Sequence, residues 1–160
     1  IYIYMFSVSV IGLGFVGSAM YNSFLLKSEQ IKMILYGYDK YKNGGIGSFE
    51  ESIKSSILFL CLPTQYDSSK SEYDKSSIIE TLSILNDCKY GGLIVIKSTV
   101  EPETTDNLYE KFPLLNLVHN PEFLTARTAF EDFHNQKHIV LGRQNSCDLN
   151  KFNELVLFYL

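Results

Sequence analysis

A short apolar strand that runs straight into three spaced glycines constrains this chain more than any other feature. The run is Val8-Ser9-Val10-Ile11-Gly12-Leu13-Gly14-Phe15-Val16-Gly17. Its order of strand, G-x-G-x-x-G and helix matters more than the glycines alone. Gly12 permits a tight turn, Gly14 lets the backbone come close to a pyrophosphate, and Gly17 lets the following helix pack on the strand. The N-terminus of that helix offers unpaired N–H groups and a partial positive charge to phosphates.

The surrounding pattern agrees. Ser18 to about Ser28 reads as a helix, with Ala19, Met20, Phe24 and Leu25 at helical spacing. A second apolar strand, Met33 to Tyr38, ends at Asp39. Asp39 stands about 20 residues beyond the glycines, where a dinucleotide site places an acid for the ribose hydroxyls. An acid there favours NAD, because it would repel a 2′-phosphate. Lys40 and Lys42 weaken that preference without reversing it. The alternative is that Asp39 only caps a turn after its strand.

With 160 residues, 46% of them hydrophobic, the chain has the size of one domain and enough apolar mass for a core. A net charge of −4 and the lack of a Lys/Arg cluster give no reason to expect a nucleic-acid partner. No apolar run approaches the ~20 residues of a membrane span. The apolar start, Ile1 to Phe6, has no basic region and no cleavage site, so it does not read as a signal peptide. Met5 reads as a natural start, with the four residues before it as an upstream extension. Cys61, Cys88 and Cys147 are far apart and odd in number, and His119, His134 and His138 form no ligand pattern. Free thiols in a reducing cytoplasm and no metal site are expected.

Strands are expected at about 7–11, 33–38, 56–61, 93–97, 115–118 and 138–142. Helices are expected at about 15–28, 48–54, 75–88 and 104–111. Ile57 to Leu62 and Leu93 to Ile96 are continuous apolar runs, the pattern of strands buried on both faces. These features predict an α/β fold: a doubly wound, mostly parallel, Rossmann-like sheet of about six strands in a single domain spanning 1–160. Ser48 and Glu51 suit a capping box, and Asp74 suits the cap of the helix holding Ile78, Ile79, Leu82 and Leu85. Asp67 to Asp74 reads as a loop. Asp148 to Leu160 reads as an amphipathic helix whose apolar, uncapped end predicts a chain cut short of further segments.

Three more segments follow strands. They are Cys61-Leu62-Pro63-Thr64, Lys97-Ser98-Thr99-Val100 and His119-Asn120-Pro121-Glu122-Phe123-Leu124. In an open α/β sheet, ligands bind at the carboxyl ends of strands, so all three fall on the edge of the glycine loop. Each alone also reads as ordinary strand ends and turns. Glu122 is the sharpest single residue. A carboxylate there suits a general base or the orienting of a water. It equally suits the first turn of a helix, together with Asn120.

Taken in order, Gly12-Leu13-Gly14-Phe15-Val16-Gly17, Gly37-Tyr38-Asp39, Leu62-Pro63-Thr64, Lys97-Ser98-Thr99-Val100 and Asn120-Pro121-Glu122-Phe123-Leu124 resemble the NAD-binding N-terminal domain of the UDP-glucose/GDP-mannose dehydrogenases. The resemblance implies oxidation of the C6 alcohol of a nucleotide sugar, with UDP-glucose foremost, to a carboxylate in two NAD-dependent steps. A cysteine captures the intermediate aldehyde, and water hydrolyses the resulting thioester. Gly12 to Gly17 would hold the pyrophosphate and Asp39 the ribose. Leu60 to Thr64, including Pro63 and Thr64, and Ser98, Thr99 and Val100 would line the cofactor, with Thr99 also near the reacting water. Glu122 would be the acid/base. Glu122, Phe123, Leu124, Thr125 and Ala126 would contact sugar and diphosphate.

The family usually continues with Arg-Glu-Gly where this chain has Thr125-Ala126-Arg127, and with Pro-Asp-Arg where it has Gln136-Lys137-His138. The segment between Asp39 and the third strand is also short. The family's nucleophilic cysteine and central dimerisation helix belong to later segments, and no cysteine here has the nucleophile's context. The resemblance therefore implies a full-length homo-oligomer, with this stretch monomeric and unable to complete the reaction by itself. Another NAD-dependent dehydrogenase, such as one acting on a hydroxyacid, stays open, as does a non-catalytic nucleotide-binding module.

Overall fold

The computed structural model describes residues 5–160, so the expected upstream extension at 1–4 lies outside the described residues. In chain order the elements are β1 (Phe6–Ile11), α1 (Phe15–Ser28), β2 (Met33–Tyr38), α2 (Phe49–Ser52), β3 (Ile57–Leu60), a hairpin of β4 (Tyr66–Asp67) and β5 (Glu72–Tyr73), α3 (Ser76–Asp87), β6 (Leu93–Ile96), α4 (Thr104–Lys111), β7 (Asn116–His119), α5 (Ala129–His134), β8 (Gly142–Arg143) and α6 (Leu149–Tyr159). One sheet runs β2-β1-β3-β6-β7-β8. Its first five strands are parallel, and only β8 pairs antiparallel. This is a Rossmann-like doubly wound sheet. The chain crosses from one side of β1 to the other between β2 and β3, so the crevice at a reversal of strand order opens beyond β1 and β3.

The apolar runs explain the centre of the sheet. Every residue of β3 and β6 is fully buried. Covering both faces of these strands requires helices on both sides, and neighbouring side chains show it. Phe59 packs on Phe24 of α1 and Phe158 of α6, with ring centroids 5.5 and 6.1 Å apart. Phe24 also meets Phe133 of α5 at 5.6 Å. Ser9 points the other way, and its hydroxyl donates to the Ser52 carbonyl of α2 at 2.8 Å. Side chains alternate along a strand, so Val10 and Phe59 face α1, α5 and α6, whereas Ser9 and Leu58 face α2.

The elements depart from the sequence pattern in several places. The sixth strand is confined to Gly142–Arg143 instead of 138–142, because the Val140 carbonyl accepts from the Asn120 side chain at 2.8 Å. The Asp67–Asp74 loop contains the small β4–β5 hairpin, in which the rings of Tyr66 and Tyr73 meet edge to face at 5.3 Å. Helix α5 carries too short a pattern to read from sequence: six residues with only Ala129 and Phe133 buried. The Ser48 capping box is half formed. The Glu51 N–H donates to Ser48 Oγ at 3.3 Å, but the Glu51 carboxylate pairs with Lys54. Asp74 stands one residue before the N-cap, Lys75, and is not the cap expected; it accepts from the Ser76 N–H at 2.9 Å and closes the turn that leads into α3. Among the described residues no helix is long and apolar enough to cross a membrane.

Phe59 is the largest fully buried side chain of the core and joins the sheet to two helices. Replacing it by alanine is expected to destabilise the 160-residue chain by about 3–5 kcal/mol in urea unfolding. The same change at Leu114, 80% exposed, should stay within about 0.5 kcal/mol.

Candidate cofactor and catalytic site

The parallel ladder continues one residue past the strand ends, and this places the site. Ile11, Leu60, Ile96 and His119 stand side by side in register. The next N–H groups still bond across: Cys61 to Ile11 O at 2.8 Å, Lys97 to Leu60 O at 2.9 Å and Asn120 to Ile96 O at 3.0 Å. Gly12, Cys61, Lys97 and Asn120 therefore form one row at the carboxyl edge, and the segments expected from sequence leave the sheet from that row.

The glycine loop fits a dinucleotide for steric reasons. Gly12 has φ +88°, and a Cβ there would collide with the Cys61 carbonyl oxygen. A Cβ on Gly17 would collide with the Gly12 carbonyl oxygen and stand 3.2 Å from Cys61 Cβ. Both glycines let the loop press on the β3 end. Gly14 differs: a Cβ there would meet nothing within 4 Å, so the backbone is open on the side a pyrophosphate would approach. Gly14 is the N-cap of α1, a helix of 14 residues, and it has no side-chain cap. The first N–H groups of α1 are thus left for an anion. Phe15 is exposed and Leu13 buried, so the loop turns one side chain outward and one into the core.

Asp39 both caps its turn and reaches the glycine loop. Its Oδ1 accepts from the N–H groups of Tyr41 at 2.9 Å and Lys42 at 2.8 Å, and its Oδ2 accepts from the Leu13 N–H at 2.7 Å. A carboxylate has about four acceptor sites, so Oδ2 keeps one open for a further donor. Burial alone would raise the Asp39 carboxyl. The N–H groups of Lys42, Tyr41 and Leu13, together with the Lys42 ammonium, outweigh it and hold the group below its ordinary value. Lys42 lies across the same loop, its Nζ donating to Leu13 O at 2.6 Å and Ser18 Oγ at 2.8 Å.

The next two segments are tied together. Ser98 Oγ donates to the Leu62 carbonyl at 2.8 Å and accepts from the Leu62 N–H at 2.9 Å. Its hydroxyl thus joins the β3 and β6 ends instead of reaching outward. Thr99 and Pro63 are exposed beside it, and Thr64 and Val100 are half-buried.

The β6 and β7 ends enclose a buried charge. Lys97 Nζ lies 2.5 Å from Glu122 Oε2, and the two side chains are only 1% and 7% exposed. Lys97 also donates to Asn120 Oδ1 at 3.1 Å and sits 5.8 Å from the centre of the Phe133 ring. Asn120 Oδ1 accepts the Tyr159 hydroxyl at 2.7 Å. Glu122 Oε1 accepts from the Phe123 N–H at 3.0 Å. Asn120 and Glu122 are therefore not a helix cap, since α5 starts only at Ala129. Burial pushes the Cys61 thiol up to about 12, with Lys97 pulling it down and Glu122 pushing it up, so Cys61 is no thiolate nucleophile. Burial also pushes the Tyr159 hydroxyl well up, and the Cys147 thiol is raised for the same reason.

Beyond Glu122 the chain runs outward. Phe123, Thr125 and Ala126 are exposed and Leu124 is half-buried. Asp132 pins this segment, accepting from the Thr125 N–H at 3.0 Å and the Thr128 hydroxyl at 2.8 Å; those two bonds hold its carboxyl below the ordinary value. Sequence reasoning did not assign roles to Lys97, Asp132 or Tyr159. Lys97 alone carried a signal: an ammonium directly after four buried apolar residues needs a buried partner.

Residues 47–157 match the family model described as the NAD-binding domain of the UDP-glucose/GDP-mannose dehydrogenase family. The match includes the segments after β3, β6 and β7 and begins after the glycine loop and Asp39, so those two rest on their geometry. The chain is 24% identical to the UDP-glucose 6-dehydrogenase of Campylobacter jejuni over 84% of this chain and 41% of that protein. It is 38% identical to the enzyme of the same name from Rickettsia bellii over 60% of this chain and 23% of that protein. It thus spans less than half the length of either relative. The ternary complex of a GDP-mannose dehydrogenase from Pseudomonas aeruginosa shares the fold, with a TM-score of 0.73 at 19% identity, over 95% of this chain and 43% of that one.

Removing the Asp39 carboxylate by alanine substitution is expected to weaken NAD binding by about 10-fold or more in calorimetric titration, the value of one hydrogen bond to a charged group; unchanged affinity would show that Asp39 does not reach the ribose. A second expectation concerns pH. Burial and then the Lys97 ammonium hold His119 below its ordinary value of 6.5. The folded state therefore prefers the neutral ring. As pH falls through 6.5 the unfolded chain takes up the proton first, and stability drops. Thermal melts between about pH 8 and about pH 5.5 should show this fall, and His119→Gln should flatten it.

Proposed function

The chain belongs to the UDP-glucose/GDP-mannose dehydrogenase family through its NAD-binding domain, and on that footing we propose that the protein oxidises the C6 alcohol of UDP-glucose to the carboxylate. NAD is the cofactor of this domain. When bound, NAD accepts a hydride from the sugar carbon in each of two steps. One alcohol, two NAD⁺ and one water give one carboxylate, two NADH and three protons.

In this reading Gly12 to Gly17 hold the pyrophosphate on the N-terminus of α1, and Asp39 takes the ribose hydroxyl. Leu62, Pro63 and Thr64 line one side of the cofactor, and Ser98, Thr99 and Val100 the other, with Ser98 keeping the two sides at fixed spacing. Glu122 is the acid/base for the hydrolytic step, with Thr99 beside the reacting water. The exposed backbone from Glu122 to Ala126 meets the sugar and diphosphate, and Asp132 keeps that backbone in place. The observation that carries the reading is the row formed by Gly12, Cys61, Lys97 and Asn120, which draws all these segments to one edge.

Cys61 is half-buried in this row with its thiol pushed up to about 12, which is unsuited to a nucleophile in the covalent step. We therefore expect these 160 residues to bind NAD without completing the oxidation.

The test is the yield of NADH per sugar from the full-length protein. Two NADH per UDP-glucose are expected, and one would overturn the four-electron reaction. Turnover of GDP-mannose in place of UDP-glucose would keep the chemistry and correct the sugar. NAD binding with turnover of neither would point to a non-catalytic nucleotide-binding module.

A further inference from the structure

Lys97 is an ammonium set in the driest part of the sheet edge. It follows four fully buried apolar residues and lies over an aromatic face, with its side chain 1% exposed. Stability alone gives little reason for such a group, because a buried ion pair replaced by apolar side chains of similar volume is often neutral or stabilising. A methionine would fill the same volume. The reason for the charge is to be found in what it touches.

We propose that Lys97 is a positioning residue for the acid/base carboxylate of Glu122. The proposal rests on the reading of Glu122 given above. Both carboxylate oxygens are held: Oε2 by Lys97 Nζ at 2.5 Å and Oε1 by the Phe123 N–H at 3.0 Å. A carboxylate with one oxygen in an ion pair and the other accepting a backbone N–H is restricted in rotation, so one orientation is favoured at the edge where the segments meet. Lys97 is itself steadied from behind. Asn120 Oδ1 accepts from Lys97 at 3.1 Å and from the Tyr159 hydroxyl at 2.7 Å, while Asn120 Nδ2 donates to the Val140 carbonyl at 2.8 Å. With a carbonyl on one side and two donors on the other, the Asn120 amide has only one orientation that satisfies its partners. The relay runs from α6 through Tyr159, Asn120 and Lys97 to Glu122. Low dielectric inside it strengthens the ion pair and the hydrogen bonds behind it.

The experiment is a double-mutant cycle in the full-length protein, read as steady-state kcat and KM for UDP-glucose, with NAD affinity as the folding control. Lys97→Met and Glu122→Gln should each lower kcat by about 100-fold or more, the usual contribution of one general base, with KM and NAD affinity within about threefold of wild type. Lys97→Met/Glu122→Gln should be no slower than the slower single variant, because a positioning residue has nothing left to position. Full kcat in Lys97→Met, or losses that multiply in the double variant, would overturn the proposal. Full kcat in Glu122→Gln overturns the acid/base reading instead, so the two failures are distinct. If Lys97→Met does not fold, Lys97→Arg keeps the buried charge and displaces the carboxylate. It should then lose kcat at unchanged NAD affinity, and wild-type kcat in that variant would equally overturn the proposal.

Discussion

The bond from the Lys97 N–H to the Leu60 carbonyl, with its counterparts at Cys61 and Asn120, decides where every segment of the site begins. Parallel strands share one direction, so their carboxyl ends share one edge. A ladder that extends one residue past each strand then leaves no slack in the starting points of the loops. Gly12, Cys61, Lys97 and Asn120 are aligned by backbone geometry, before any side chain contributes. A slip of one residue in β6 would turn Lys97 to the other face of the sheet and remove the buried pair.

On this frame the site balances opposed demands for charge. One carboxylate and one ammonium lie within a region dry enough to push the Cys61 thiol and the Tyr159 hydroxyl up and to hold His119 below its ordinary value. The ammonium and the carboxylate sit in direct contact, which is the arrangement that makes charge tolerable where water is scarce. The glycine loop is built the opposite way. Gly14 and Phe15 are exposed, and what the loop offers an anion is the backbone N–H groups at the start of α1, which need no buried charge.

Short side chains hold the loops between these two regions. Ser98 clasps Leu62 through both its donor and its acceptor, and Asp132 gathers Thr125 and Thr128. At the β4–β5 hairpin, Glu101 accepts from the Tyr73 N–H at 2.6 Å and pairs with Lys75 at 3.0 Å. The Tyr73 N–H is the first cause of a Glu101 carboxyl held down at about 2. Ser98 and Glu101 join segments 36 and 28 residues apart in the chain, whereas Asp132 closes its own loop over 4 and 7 residues.

Much of this was legible in the residues. Continuous apolar runs at Ile57–Leu60 and Leu93–Ile96 determine a doubly covered parallel sheet, because no other layer buries both faces of a strand. Strand, glycines, helix and acid in that order give the pattern of a dinucleotide site, and glycine is the residue that suits the φ of Gly12 and the close packing of Gly17. The chain by itself also placed Glu122 and the three loop segments at the carboxyl edge. Only the tertiary structure decided which groups touch. The contraction of the last strand to Gly142–Arg143 follows from an Asn120 amide 20 residues away in sequence. The pairing of Glu122 with Lys97, and the reach of Tyr159 to Asn120, depend on strand register and on the docking of α6. Periodicity records which face a side chain occupies. It carries no record of which distant partner will share that face, and a buried charge is defined by its partner.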